Sequence, residues 1–195
     1  MNENHSKLCP SPEWADWMRG ELQPALTAGV DLGAAMLEIG PGPGAATGWL
    51  RHKVRRLVAL EIDEEAAAKL AVQQEGSNVE VTVGDATGMT FGDASFDSVG
   101  TFTMLHHVPT AAAQDQLLAE TLRVLRPGGV LIGSDSLASN DLHAFHVGDT
   151  YNPVEPAAFL TRLRTLGFGR IAIGVEDHVL TFVAHKPAGD GGCGS

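Results

Sequence analysis

Three glycines spaced two apart, Gly40, Gly42 and Gly44, follow the apolar run Met36-Leu37-Glu38-Ile39 and precede Ala45, Ala46 and Thr47. Glycine tolerates φ > 0 and lets a backbone come close to a ligand. Between a strand and a helix, such a loop offers N–H groups and the positive end of a helix dipole. The spacing therefore describes a nucleotide-cofactor corner. Gly40, Gly42 and Ala45 also satisfy the G-x-G-x-x-G/A dinucleotide fingerprint, and Glu61 lies about 20 residues on, where a ribose-binding acid belongs. On these residues alone, a nicotinamide-dependent oxidoreductase stays open.

A second group could move protons. His106 and His107 sit just past an apolar stretch, and an imidazole with a reference pKa of about 6.5 can act as a general base near neutrality. A third group, Asp141, His143, His146, Asp149 and Tyr151, falls in the polar stretch 139–152. The spacing His143-x-x-His146-x-x-Asp149 is compatible with a divalent ion. Solvated loop polarity accounts for it equally well, and no metal is assigned. Serine and cysteine nucleophiles find no paired base at a recognised spacing.

These groups need a scaffold, and the hydrophobic pattern supplies one. Ala35–Ile39, 56–63, 79–83, 96–105 and 130–134 read as strands; 45–52, 64–74 and 110–125 read as the helices between them. Near-continuous apolar runs such as 57–60 suit a parallel sheet buried on both faces. Such alternation predicts an α/β, doubly wound, Rossmann-like sheet. The end of the chain departs from this pattern. After a helix over 156–166, strands at 170–175 and 179–184 are separated only by Glu176-Asp177-His178, a connection that forces an antiparallel hairpin. Upstream, Trp14, Trp17, Met18 and Leu22 form one apolar stripe of a helix starting at Pro12, with Ser11 as its cap. That helix either packs on the domain or walls a substrate pocket. The expected organisation is an N-terminal helical segment and candidate lid at 1–30, a domain at 31–186 and a flexible tail at 187–195.

Composition narrows the partners. The formal charge of −11 argues against a nucleic acid, and the densest basic cluster, Arg51, Lys53, Arg55 and Arg56, reads as a solvated helix end rather than a binding patch. Cys9 and Cys193 imply no disulfide framework, and no apolar run approaches the roughly 18 residues of a membrane helix. A cytoplasmic protein, monomeric or homodimeric, is expected.

Read together, the motifs resemble the class I methyltransferases that use S-adenosylmethionine, over roughly residues 30–186. Glu38-Ile39-Gly40-Pro41-Gly42-Pro43-Gly44 is similar to that family's acidic-x-Gly-x-Gly-x-Gly motif. Glu61-Ile62-Asp63, Gly84-Asp85-Ala86 and Leu105-His106-His107-Val108 resemble its second, third and fourth strand ends, and Leu125–Leu131 its turn into strand five. The resemblance implies a seven-stranded sheet of order 3-2-1-4-5-7-6 with strand 7 antiparallel. It also implies S-adenosylmethionine as cofactor and S-adenosylhomocysteine as product. Glu38 would lie close to the methionine portion or order the glycine loop, and Gly40, Pro41 and Gly42 would bind the cofactor through that loop. Glu61 would take the ribose hydroxyls, Ile62, Asp85 and Ala86 the adenine, and the backbone of Thr103 would line the same pocket. His106 and His107 become the catalytic candidates, and Trp14, Trp17, His143, His146 and Tyr151 the candidate contacts of a small-molecule acceptor. The competing expectations are a cofactor-binding domain without turnover and an NAD(P)-dependent oxidoreductase.

Overall fold

Strand and helix segments alternate along the chain, and the strands assemble into one seven-stranded sheet. The structure, a computed structural model, describes Asp16, Gly20 and residues 22–189. Trp14, Trp17 and the helix start at Pro12 lie outside the described residues.

The described elements are α1 (Gln23–Thr27), β1 (Ala35–Ile39), α2 (Thr47–Leu50), β2 (Arg56–Glu61), α3 (Glu64–Gln73), β3 (Val79–Val83) and β4 (Phe96–Phe102). They continue with α4 (Ala111–Val124), β5 (Leu125–Ser136), α5 (Asn140–Phe145), α6 (Pro156–Leu166), β6 (Gly169–Glu176) and β7 (Val179–His185). The order is β3-β2-β1-β4-β5-β7-β6, as expected. β1 lies parallel to both β2 and β4, β2 to β3 and β4 to β5. β7 enters antiparallel between β5 and β6. The hairpin closes through Asp177 and His178, both at positive φ (44° and 69°). That conformation matches the twist of the flanking strands.

Alternation along the central strands fills both faces. Leu37, Ile39, Val58, Val99 and Leu131 pack with Leu117 and Leu118 of α4 and Phe159 and Leu163 of α6. On the opposite face, Met36, Leu57, Phe102, Val130 and Ile132 pack with Leu22, Leu26 of α1 and Leu50 of α2. Residues 22–26 of the segment expected as a candidate lid are thus anchored in the core by these two leucines.

Several boundaries differ from the sequence reading, each for a local reason. The regular part of α2 is four residues, not 45–52; turns flank it, and Gly48 N–H already donates to Gly44 C=O at 3.1 Å. A helix this short contributes little dipole, so the loop must act through individual N–H groups. β4 stops at Phe102 instead of Leu105, because Thr103 adopts φ 51° and turns the chain into a 3-10 segment, Leu105–His107. β5 continues past Ser134 to Ser136. The stretch 139–152, expected as loop, holds α5, whose first turn is capped by Ser139 Oγ accepting from Leu142 N–H at 3.1 Å.

Candidate functional site

The carboxyl ends of β1, β2, β3 and β4 meet along one rim of the sheet, and the expected cofactor residues together with His106 and His107 follow these strand ends. The glycine loop leaves β1 with Gly40, Gly42 and Gly44 all at positive φ (64°, 53° and 88°). A Cβ on Gly40 would lie 2.3 Å from Met104 Cγ, so the β1 loop and the segment after β4 touch only because this residue is glycine. A Cβ on Gly42 would meet nothing within 4 Å. That side of the loop is open.

Two acids flank the loop. Glu38, 1% exposed, accepts from Thr47 Oγ1 at 2.6 Å. Burial, only partly offset by the Thr47 hydrogen bond and reinforced by the charge of Glu61, raises its pKa to about 7. Glu61 accepts from the backbone N–H of Gly42 and Ile62, both at 3.0 Å, and of Asp63 at 3.1 Å. A carboxylate offers about four lone-pair sites. Three are engaged here, so Glu61 sets the curvature of the loop, and two ribose hydroxyls would have to displace part of that set. Ile62 is 67% exposed beside it, a large apolar surface at a strand end. Asp85 is exposed, and its Oδ1 accepts from both the N–H and the hydroxyl of Thr87 at 2.8 Å. Among the described residues no bond is recorded to Oδ2.

The histidines are more organised than the sequence suggested. His106 is 4% exposed, and its Nδ1 contacts the Oδ1 of Asp135, itself fully buried on β5. Asp135 also accepts from the backbone N–H of His106 (3.1 Å) and of Ser136 (2.7 Å). Its carboxylate can only accept from Nδ1, so the proton is assigned to Nδ1 and the lone pair to Nε2. Gln114 of α4 fixes the segment from behind, donating to Leu105 C=O and Asn152 C=O at 2.9 Å. Asn152 N–H in turn donates to His106 C=O at 2.7 Å. α5 brings His146 against this pair: its ring centre lies 5.0 Å from that of His106 and 5.4 Å from that of His107. Tyr151 stacks on His146 at 4.3 Å. Burial holds the His146 imidazole below its ordinary pKa, and burial pushes the Tyr151 hydroxyl up. His143 is exposed, with its ring 6.1 Å from that of Tyr151.

Sequence reasoning missed Asp135, Thr47 and Gln114. For Asp135 the placement follows from strand register, which only the fold supplies. The β4–β5 register pairs Phe102 with Ser134, so the next residue on β5 lies beside the turn that carries the histidines.

Comparisons with known proteins agree with this geometry. A family model described as "Methyltransferase domain" matches residues 37–133, which span the glycine loop through β5. The chain belongs to the class I S-adenosylmethionine-dependent methyltransferases. It is 30% identical over 142 residues to a methyltransferase of Streptomyces halstedii, covering 70% of this chain and 49% of that one. It is 33% identical over 102 residues to a Mycolicibacterium smegmatis protein named as an S-adenosylmethionine-dependent methyltransferase, covering 52% and 38%. The chain thus spans half or less of the length of these two curated relatives. A solved structure from Pyrococcus horikoshii superposes with a TM-score of 0.77 at 22% identity over 90% of this chain and 92% of that one, a likeness of fold.

The family's cofactor is S-adenosylmethionine, and the residues present fit it. The open side of Gly42, the exposed Ile62 and a buried acid that no cation among the described residues neutralises are what a polar, aromatic, ammonium-bearing ligand requires.

Proposed function

We propose that this methyltransferase domain transfers a methyl group to a small-molecule acceptor bound against His106 and His107. The observation that carries the reading is the buried His106–Asp135 pair, which sits on the same rim as the glycine loop and is joined to it through Met104 and Gly40. Bound S-adenosylmethionine supplies a methyl already activated on a sulfonium. The chain must then hold an acceptor in line, exclude water and remove a proton where the acceptor carries one. His106 is the proton acceptor through Nε2, and Asp135 keeps it in the required tautomer. Glu38 takes the cofactor ammonium, Glu61 the ribose, Ile62 one adenine face, and Asp85 with the N–H of Ala86 the adenine edge. The Thr103 backbone, at φ 51°, turns the chain between the cofactor side and the histidines. His143, His146 and Tyr151 surround the acceptor.

A small acceptor is supported by the charge of −11, which would repel a polyanion. Calorimetric titration with S-adenosylhomocysteine, with NADH and NADPH in parallel, is the first test. Micromolar binding of the thioether alone supports the reading, and binding of a nicotinamide instead would overturn it. A subsequent acceptor screen with labelled methyl donor separates an enzyme from a binding domain without turnover.

A further inference from the structure

The sequence reading assigned no metal, because the only regular spacing of ligands, His143-x-x-His146-x-x-Asp149, lay in a polar loop. The fold assembles a different set. His106 and His107 from the turn after β4 and His146 from the end of α5 each offer a ring nitrogen, and the three nitrogens lie within 4.8 Å of one another. We infer that His106, His107 and His146 form a binding site for one divalent transition-metal ion of the zinc class.

Four observations support a three-imidazole site over a chance cluster. The first is the donor set: neutral imidazoles suit Zn²⁺, Co²⁺, Ni²⁺ and Cu²⁺ rather than Mg²⁺ or Ca²⁺. The second is the layer behind it. Metal-binding histidines characteristically donate their other N–H to a carboxylate or a backbone carbonyl, which fixes the tautomer and aims the lone pair. His106 Nδ1 meets the buried Asp135 carboxylate, and His146 Nδ1 lies 2.6 Å from Leu142 C=O. Both therefore carry their lone pair on Nε2. The third is charge. Asp135, with no exposed surface, places an anion directly behind one ligand, which lowers the cost of bringing a dication into a buried position. The fourth is access: His107 is half-buried whereas His106 and His146 are buried, so an ion can enter from the His107 side.

The geometry also states what must move. Metal–nitrogen bonds of about 2.0–2.1 Å in a tetrahedral arrangement place ligand nitrogens roughly 3.3 Å apart. The three nitrogens here lie within 4.8 Å of one another, so closing onto an ion asks for at most a small approach of His146, at the end of α5, toward the 3-10 turn. Three protein ligands leave a fourth position, the pattern of sites that bind water or a substrate atom rather than of closed structural sites. That position is suited to an oxygen or sulfur of the acceptor. The inference goes beyond the proposed function, and the two readings differ in how His106 Nε2 is used. In the ion-free chain it takes a proton, and in the loaded chain it is a ligand.

The test is a titration of the untagged full chain, stripped with a chelator, using Co²⁺ as a visible probe and Zn²⁺ as competitor. The expected result is one equivalent of Co²⁺ per chain, ligand-field bands of a low-coordinate site, and their loss on adding one equivalent of Zn²⁺. Absence of saturable one-to-one binding at tens of micromolar overturns the inference without further variants. His146→Ala and His107→Ala should each weaken binding by at least tenfold, and Asp135→Asn by roughly 10–100-fold, as for outer-shell partners. His143→Ala should bind as the parent does. Unchanged Co²⁺ affinity in both His107→Ala and His146→Ala also overturns it. His107 is half-buried, so its variant keeps the test decisive should His146→Ala misfold. Hydrogen exchange should slow over 140–146 on loading. Calorimetry with S-adenosylhomocysteine on the same stripped samples is independent: lost cofactor binding with intact metal binding would count against the proposed function alone.

Discussion

With Glu38 proposed to take the cofactor ammonium, cofactor binding is expected to depend on pH. Its folded-state pKa of about 7 lies well above the ordinary carboxylate value, because burial disfavours the charge. Between about pH 4.5 and 7 the unfolded chain releases a proton that the folded chain keeps. Stability contributed by this group is therefore complete below that window and falls by about 3 kcal/mol as pH rises through it. Glu38→Gln should flatten the corresponding part of the urea-unfolding profile between pH 5 and 8. A cofactor ammonium needs the charged form, whose population drops to about a tenth at pH 6. Affinity for S-adenosylhomocysteine should accordingly be about tenfold weaker at pH 6 than at pH 8 in the parent chain, and much less pH-dependent in Glu38→Gln. The other residue-level test concerns Asp135, which contacts His106 and so positions it. Asp135→Asn can turn an amide donor toward Nδ1 and favour the wrong tautomer. Turnover in ion-free buffer should fall by about 10²–10⁴-fold with cofactor affinity within a few-fold, and with the pH–rate profile displaced. Equal losses in both would make the pair structural. Asp135 was hidden from the sequence because its partner lies 29 positions away and the contact exists only once β5 lies beside β4. The glycine loop was visible because its signal is local.

The loops between elements carry separable duties. Gly42→Ala meets no neighbour and bears only the cost of a positive φ, roughly 1–2 kcal/mol. Gly40→Ala adds a collision with Met104 and should lower the thermal midpoint further, while both weaken S-adenosylhomocysteine binding. Equal midpoints for the two variants would show that Met104 yields easily. A second joint lies at the opposite end of the sheet. Asp97 Oδ2 accepts from the N–H of Ala34 and Ala35, each at 2.9 Å, and Oδ1 from Arg126 at 2.5 Å. Burial pushes its pKa up, but these donors outweigh that and hold it below the ordinary range. Asp97→Ala should destabilise the fold by about 2–3 kcal/mol in urea without altering cofactor affinity, because it clamps the amino end of β1 and not the rim. Element types were readable from periodicity; ends were not. β4 was read through to Leu105 because Thr103-Met104-Leu105 continues its apolar pattern, and the positive φ that breaks it leaves no mark in residue type. α5 was read as loop because its six residues are mostly polar or exposed, and no buried stripe announces it.

Across the whole molecule acidic residues outnumber basic ones, 24 to 13, and the expected consequence is indifference to polyanions. With a sequence pI of about 5.0, the chain should neither shift an RNA in a gel nor be retained on heparin at 50 mM salt. Salt-sensitive retention would reopen the acceptor class. No helix among the described residues is long and apolar enough to cross a membrane. The global topology was readable for a physical reason: a connection as short as Glu176–His178 permits only one strand direction, and four strand-end motifs followed by the turn into β5, all in order, permit few others. The same topology has a consequence for synthesis. β7 follows β6 in chain order, yet it is inserted between β5 and β6, pairing from Val130↔His185 to Ser136↔Val179. Until it has been translated, the apolar edge of β5 has no partner, and β6 has nothing to hold it. From the completion of β5 at Ser136 until β7 is made, the nascent domain therefore carries an open, aggregation-prone edge, which it closes in one step. Ribosome-bound chains stalled before Val179 should recruit holdase chaperones that chains stalled well beyond His185 no longer need.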